Sequence, residues 1–192
     1  MKTNKRIAVF ASGNGSNAQR IADYFRERGG VEITAIYCNK PGAFVLERAN
    51  SLDIPSVLFD RNTFYNTGEI LKDLESRQTE WIILAGFLWL IPANILERYS
   101  GRIINIHPAL LPKYGGKGMY GAKVHEAVVA AHEKESGITI HLVNENYDEG
   151  QVLFQAVCQL EAGETPDSLA TKIHALEYAH FPVVIENILN QS

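Results

Sequence analysis

RIAVFASGNGSN, at residues 6–17, begins as an apolar run and ends in a loop of glycine, serine and asparagine. The run predicts a buried strand over residues 6–11. The residues that follow the loop predict a helix over 18–28. A strand, a glycine-rich turn and a helix form the first half of a β-α-β unit, so this stretch indicates an α/β fold.

The same alternation continues toward the middle of the chain. Further strands are predicted at 31–38, 56–59, 81–85 and 103–107, and further helices at 44–52, 67–77 and 92–99. Because strands that alternate with helices pair in parallel, we expect a Rossmann-like, mostly parallel sheet with helices on both faces.

The pattern changes after residue 113. A glycine-rich loop at 114–121 and a helix at 122–134 precede strands at 137–143 and 151–159, which we expect to form an antiparallel hairpin. The last predicted helix covers 165–189, and Pro182 is expected to kink or split it. No linker or repeat divides the sequence, so we expect one domain over residues 1–192.

Composition narrows the function classes. Of the 192 residues, 46% are hydrophobic and 21% are charged, which is typical of a folded protein and not of a disordered one. The net charge of -4 does not favour nucleic-acid binding. No apolar stretch is long enough to span a membrane, no signal peptide is evident, and two cysteines favour free thiols in a reducing compartment. We therefore expect a cytoplasmic protein.

The first loop has the features of an anion site. Its glycines allow close backbone approach, and the following helix offers unpaired N–H groups and the positive end of a dipole. Gly13, Gly15 and Ala18 also match the dinucleotide fingerprint, but residues 37–40 lack the carboxylate that would hold a ribose. A phosphate is therefore favoured over NAD, and a glycine turn without a ligand remains an alternative.

Two polar residues, Asn105 and His107, end the strand at 103–107. Alternate residues of a strand point to one face, so their side chains lie together at the carboxyl end of the sheet. An amide donor beside an imidazole suits attack on a carbonyl, because both groups stabilise an oxyanion and the imidazole carries a proton. Asp148, in the hairpin turn, is the candidate carboxylate partner, and His141 lies on a strand close by. Alternatively, the pair only satisfies backbone groups.

Four segments together resemble the folate-dependent phosphoribosylglycinamide formyltransferases of purine synthesis, over nearly the whole chain. They are residues 11–17 (ASGNGSN), residues 84–87 (LAGF), residues 105–112 (NIHPALLP) and residues 137–141 (GITIH) with Asp148. The resemblance implies a single formyltransferase domain, with 10-formyltetrahydrofolate as co-substrate and phosphoribosylglycinamide as acceptor. It implies no metal, in agreement with the absence of metal-binding motifs, and no nucleic-acid or membrane partner; the protein is expected to be a monomer or homodimer.

The resemblance also implies roles for individual residues. Asn105 polarises the formyl carbonyl and contacts the folate, His107 donates the proton, and Asp148 raises the pKa of His107. The remaining implied contacts are with the acceptor (Gly15, Ser16, Asn17, Glu177) and with the folate pteridine (Leu88, Trp89, Leu90, Ile91).

Some positions depart from the family pattern. Trp89 stands where a basic residue is frequent, Thr67 falls near a frequent arginine, and residues 113–120 contain more glycine than expected. Three rival hypotheses are formyl transfer to another amine, hydrolysis of the formyl folate, and a nucleotide-binding sensor without catalysis. A sensor would need the first loop but not Asn105, His107 and Asp148.

Overall fold

The computed structural model describes residues 4–191, and within them seven strands join one sheet in the order β3-β2-β1-β4-β5-β6-β7. The strands are β1 (Lys5–Phe10), β2 (Val31–Cys38), β3 (Ser56–Leu58), β4 (Trp81–Leu84), β5 (Ile103–His107), β6 (Glu135–Leu142) and β7 (Val152–Gln159). The helices are α1 (Ser16–Arg28), α2 (Phe44–Ser51), α3 (Arg61–Tyr65), α4 (Glu69–Ser76), α5 (Ala93–Arg98), α6 (Ala122–Ala130) and α7 (Pro166–Gln191). The expected α/β, Rossmann-like architecture is confirmed.

The chain divides between Ile104 and Asn105 into two compact units. In the first unit, β1 pairs in parallel with β2 and β4, and β2 pairs in parallel with β3. The central strand β1 is apolar because it is covered: Ile7 to Phe10 are completely buried. Phe10 stacks on Tyr37 with ring centroids 4.6 Å apart, and it contacts Phe59, Phe64 and Phe87.

In the second unit, β6 and β7 form the expected antiparallel hairpin, with a bulge between Ile140 and His141. Gly137 on β6 leaves no room for a side chain, since a Cβ there would lie 1.9 Å from the carbonyl oxygen of Ala156. The two strands therefore approach closely, and His141 is placed at the irregular end of the hairpin.

Three elements differ from the sequence-based expectations. The five-residue helix α3 was not predicted, although Asp60 caps it by accepting a hydrogen bond from the Thr63 N–H. Helix α6 ends at Ala130 and not at residue 134, and His132 adopts a left-handed φ of 52° just beyond it. Helix α7 continues through Pro182 without a break, because the buried face on both sides of the proline holds the helix in place.

Candidate active site

The loop between β1 and α1 is built around a glycine in the left-handed conformation. Gly15 has φ 76° and ψ 21°, and α1 begins at the next residue with no acidic side chain in its first turn. A Cβ at position 15 would lie 2.3 Å from Cγ2 of Val45, so α2 packs directly on the loop backbone. The loop therefore leads directly into the first turn of α1, at Ser16 and Asn17, and the N-terminus of a helix is the kind of position that favours an anion.

Two further contacts hold the loop. The Val45 N–H donates to the Gly13 carbonyl over 3.1 Å, and the guanidinium of Arg48 donates to the backbone oxygen and the side-chain oxygen of Asn14, each over 2.9 Å. The loop therefore has a fixed backbone and a cation beside it, both of which favour a negatively charged ligand.

The loop is also joined to the segment that follows β4. The Ser12 N–H donates to the Gly86 carbonyl over 3.0 Å, and the Leu88 N–H donates to Oγ of Ser12 over 3.1 Å. Because Ser12 is 5% exposed, these bonds are shielded from water. The start of segment 88–91 is thus positioned by Ser12, in the loop that follows β1.

Segment 88–91 presents an apolar and aromatic surface. Leu88 is 44% exposed, Trp89 and Leu90 are half-buried, and Ile91 is buried. The Trp89 ring packs on Phe59, Phe64 and Phe87, and Arg61 of α3 lies 5.2 Å above it. An exposed leucine beside a held indole suits a flat heterocycle.

The second unit contains the polar end of β5. His107 is 4% exposed, its Nε2 lies 2.8 Å from the Tyr114 carbonyl oxygen, and its Nδ1 lies 3.5 Å from Oδ2 of Asp148. Burial lowers the pKa of His107 below its ordinary value, and this outweighs the opposite effects of the Asp148 carboxylate and the Tyr114 carbonyl. Asp148 thus acts on His107 in the expected direction, but the net direction is downward.

Asp148 lies in the turn before β7 with a left-handed φ of 57°. Its Oδ2 accepts a hydrogen bond of 3.0 Å from the Gly116 N–H. Burial raises the pKa of Asp148, but contact with His141, the nearby His107 and the Gly116 N–H outweigh burial and lower it. Asp148 is therefore a carboxylate at neutral pH.

His141 is the residue that joins Asn105 to this group. Its Nδ1 lies 2.8 Å from the Leu142 carbonyl, so Nδ1 carries the hydrogen and Nε2 accepts from Nδ2 of Asn105 over 3.0 Å. Nε2 also lies 3.6 Å from Oδ1 of Asp148, a separation that becomes an ion pair only when His141 is protonated. Asn105 is half-buried, and its second amide hydrogen remains for a ligand.

The main chain after His107 is fixed by one buried hydroxyl. Oγ1 of Thr139 donates to the Ala109 carbonyl over 2.7 Å and accepts from the Leu111 N–H over 3.0 Å. Gln155 of β7 donates to both Oγ1 of Thr139 and the Leu111 carbonyl. The hairpin therefore holds the main chain of Ala109 and Leu111, which follow His107 in the sequence.

Glu177 lies on the buried face of α7 and is 5% exposed. It accepts a hydrogen bond of 3.0 Å from Nδ1 of His174, and this bond raises the pKa of His174. Its charge also acts on His107. Glu177 is thus an inward-facing carboxylate, which is compatible with a ligand contact.

The structure brings Asn105, His107 and Asp148 into one group of neighbouring side chains in the second unit, in which His141 bonds to Asn105 and lies near Asp148. Sequence reasoning singled out His141 only as a residue near the site. It missed the Tyr114 carbonyl, because main-chain groups leave no signal in the residue types. An amide, an imidazole and a carboxylate in contact can polarise a carbonyl and transfer a proton.

Across residues 4–191, no three His, Cys, Asp or Glu side chains are grouped so as to hold a metal ion. Over the same range, no helix is long and apolar enough to cross a membrane.

Comparison with known proteins assigns the chain to a family. Residues 5–185 match the family described as formyl transferase. The Bacillus subtilis phosphoribosylglycinamide formyltransferase is 36% identical over 96% of this chain and 95% of its own length. A chloroplastic relative of the same name from Arabidopsis thaliana is 37% identical, and the match covers 97% of this chain but 66% of the relative.

Solved structures agree with the sequence comparisons. The glycinamide ribonucleotide transformylase 1 of Geobacillus kaustophilus superimposes with a TM-score of 0.88 at 38% identity, covering 97% of this chain and all of its own. The phosphoribosylglycinamide formyltransferase of Anaplasma phagocytophilum gives 0.89 at 30% identity, covering 98% of this chain and 89% of its own. The resemblance inferred from the sequence is confirmed, and the chain belongs to the formyl transferase family.

Proposed function

We propose that this chain transfers the formyl group of 10-formyltetrahydrofolate to the amine of phosphoribosylglycinamide, a step of purine biosynthesis. The observation that carries the proposal is the contact of His107 with Asp148, in a group that also contains the buried His141 and the half-buried Asn105. Relatives of the same family bear the names of this enzyme along nearly the full length of the chain.

The acceptor is bound through its phosphate. Gly15, Ser16 and Asn17 supply the helix end, and Arg48 adds a cation next to the loop. Both groups stabilise a dianionic phosphate, because its negative charge lies near backbone N–H groups, the positive end of the helix dipole and a guanidinium. Binding energy gained at the phosphate orients the amine that attacks the formyl carbon. Glu177 contributes a second contact to this substrate.

The formyl carbon is attacked by the lone pair of the acceptor amine. Asn105 donates its free amide hydrogen to the carbonyl oxygen, which becomes an oxyanion as the new C–N bond forms. The amine loses one proton and the departing folate nitrogen gains one, so the step balances without an added acid or base. His107 passes this proton, and Asp148 stabilises the imidazolium that exists during the transfer.

Segment 88–91 is proposed as one wall of the folate site. An exposed Leu88 and a half-buried Trp89, held by the aromatic cluster beneath it, fit the flat apolar faces of a pteridine. Trp89 does not offer the positive charge that is frequent at this position, and Arg61 above its ring supplies a cation instead.

Further properties of the protein belong to the same proposal. Residues 1–192 act as one formyltransferase domain, working on small molecules as a monomer or homodimer. A cytoplasmic location stays a prediction, and two plant relatives carry a chloroplastic name.

The test is formyl transfer from 10-formyltetrahydrofolate to phosphoribosylglycinamide, run beside a control without acceptor. We expect acceptor-dependent formation of tetrahydrofolate. A His107→Ala variant should lose transfer and still bind phosphoribosylglycinamide, because the phosphate loop is unchanged. Turnover like that of the wild type in this variant would defeat the proposal, and equal rates with and without acceptor would identify a hydrolase instead.

A further inference from the structure

The imidazole of His107 faces an acceptor-only group at each of its nitrogens, and the closer of the two lies at Nε2. Nε2 lies 2.8 Å from the Tyr114 carbonyl oxygen, and a carbonyl can only accept a hydrogen bond. Nε2 must therefore carry a hydrogen in this arrangement. Since His107 is 4% exposed, water offers little competition for that hydrogen.

The neighbour of the other nitrogen, Asp148, is also an acceptor but lies beyond a normal hydrogen-bond length, so Nε2 keeps the single hydrogen of the neutral ring. In the neutral ring only one nitrogen bears a hydrogen, so Nδ1 carries the lone pair. Nδ1 lies 3.5 Å from Oδ2 of Asp148, where a proton added to the ring meets a negative charge. The contact with Tyr114 thus decides which nitrogen of His107 gains and loses the proton.

Tyr114 holds its carbonyl in this position at a conformational cost. Its φ of 58° is left-handed, which costs a non-glycine residue roughly 1–2 kcal/mol. Such a backbone persists when other contacts hold it. Here the phenol hydroxyl donates to Oε1 of Glu133 over 2.8 Å, and Nζ of Lys113 lies 2.9 Å from the same oxygen.

We propose that Tyr114 is a positioning residue: its phenol, bound to Glu133, keeps its own carbonyl on Nε2 of His107, so that Nδ1 is the nitrogen that exchanges the proton in formyl transfer. The inference rests on the proposed function for the reaction, and on the geometry alone for the hydrogen on Nε2. It gives a role in proton transfer to a residue whose own hydroxyl is bonded to Glu133.

Other charges act on His107 and must be accounted for in any titration. Asp148 and His141 face it from the hairpin, Glu177 acts from α7, and the buried His125 acts from α6. All four remain unchanged in the variants below. A difference between variants therefore reports on Tyr114 and not on these groups.

The first test is ¹⁵N NMR of the His107 side chain in wild type, Tyr114→Phe and Tyr120→Phe. Tyr120 lies in the same loop and is 42% exposed, so it is a matched control for losing a hydroxyl. Above the pKa of His107, wild type and Tyr120→Phe should show the hydrogen on Nε2, and Tyr114→Phe should show a mixture of both tautomers. A hydrogen on Nδ1 in the wild type would overturn the inference.

The second test is kinetic. Tyr114→Phe and Glu133→Ala should each lower kcat by about ten- to a hundred-fold, the loss expected from a small displacement of a catalytic group, with little change in either KM. The double variant should be no slower than the singles, and Glu133→Gln, which keeps an acceptor oxygen, should recover most of the activity. Additive losses, or losses no larger than that of Tyr120→Phe, would contradict the role of Tyr114.

The two tests separate this inference from the proposed function. If no preparation transfers a formyl group, the proposed function fails, whereas the NMR result still decides whether the Tyr114 carbonyl fixes the ring. If the wild type is active and the tautomer does not respond to Tyr114→Phe, only the inference fails.

Discussion

Nδ1 of His107 lies 3.5 Å from Oδ2 of Asp148, and the two side chains are only 4% and 11% exposed. One comes from the end of a strand and the other from a hairpin turn. Because both are removed from water, the carboxylate stabilises a proton on the imidazole more strongly than it would at the surface.

Replacing Asp148 with asparagine tests this relationship. Asp148→Asn should lower kcat by about 10²- to 10⁴-fold, the range of a lost contribution to acid-base catalysis. It should also lower the pKa of His107 further, because the carboxylate that raises it is gone. Steady-state kinetics and an NMR titration of His107 measure the two effects. Asp167→Asn, at the exposed start of α7, is the control; an unchanged His107 titration in Asp148→Asn would contradict the expectation.

The phosphate loop leads to a second prediction. Gly15→Ala places a Cβ 2.3 Å from Val45 in a backbone conformation that favours glycine, so it should cost about 2 kcal/mol or more of unfolding free energy. It should also weaken phosphoribosylglycinamide binding. Urea unfolding and calorimetric titration measure these effects. Gly13→Ala has open space and no positive φ, so a comparable loss of stability in that variant would show that the clash is not the cause.

The buried histidine of α6 gives a prediction about stability and pH. His125 is 5% exposed, its Nδ1 has no hydrogen-bond partner within residues 4–191, and burial lowers its pKa. Below about pH 6.5 the unfolded chain protonates this residue while the folded chain resists, so stability falls as pH decreases.

His125→Leu should therefore increase the unfolding free energy by about 1 kcal/mol at pH 7.5, because an unpaired buried polar atom is removed. The increase should be larger at pH 5.5, where the wild type also loses stability through protonation of the unfolded chain. Urea unfolding at the two pH values is the measurement. A smaller gain at pH 5.5 than at pH 7.5 would contradict the expectation that burial lowers the pKa of His125 in the folded chain.

Trp89 provides a prediction on the binding of the folate co-substrate. Trp89→Leu keeps an apolar side chain but removes the ring that lies between Arg61 and the aromatic cluster. We expect the KM for 10-formyltetrahydrofolate to rise several-fold while kcat and the KM for the acceptor change little, as for loss of uniform binding. If only the KM for the acceptor increased, segment 88–91 would not be part of the folate site.

Much of this architecture could be predicted because periodicity and burial agree. The run over residues 6–11 is apolar since β1 is covered on both faces. The polar loop after β1 and the polar end of β5 stand out against such apolar strands. Helix α3 was missed since five residues are too few to show a period, although Asp60 is a recognisable cap. Pro182 was expected to kink or split α7; the helix is not split, because packing on both sides outweighs the lost hydrogen bond.

The site was only partly readable from the sequence. Residue types and strand ends indicated Asn105, His107 and Asp148. The bond between His141 and Asn105 depends on a bulge in the hairpin, and the bond from His107 to Tyr114 depends on a left-handed main chain. Neither feature has a residue-type signature, so these contacts required three-dimensional coordinates.

Gly115 sets a limit on how this protein can be altered. A Cβ there would lie 2.5 Å from Cδ2 of Leu111 and 3.2 Å from Cβ of Asp148. Active clones from a saturation library at position 115 should consequently be enriched in glycine. The solvent-exposed Lys117, in contrast, is expected to accept a tag or a fluorophore. Labelling strategies for this loop should start from that lysine.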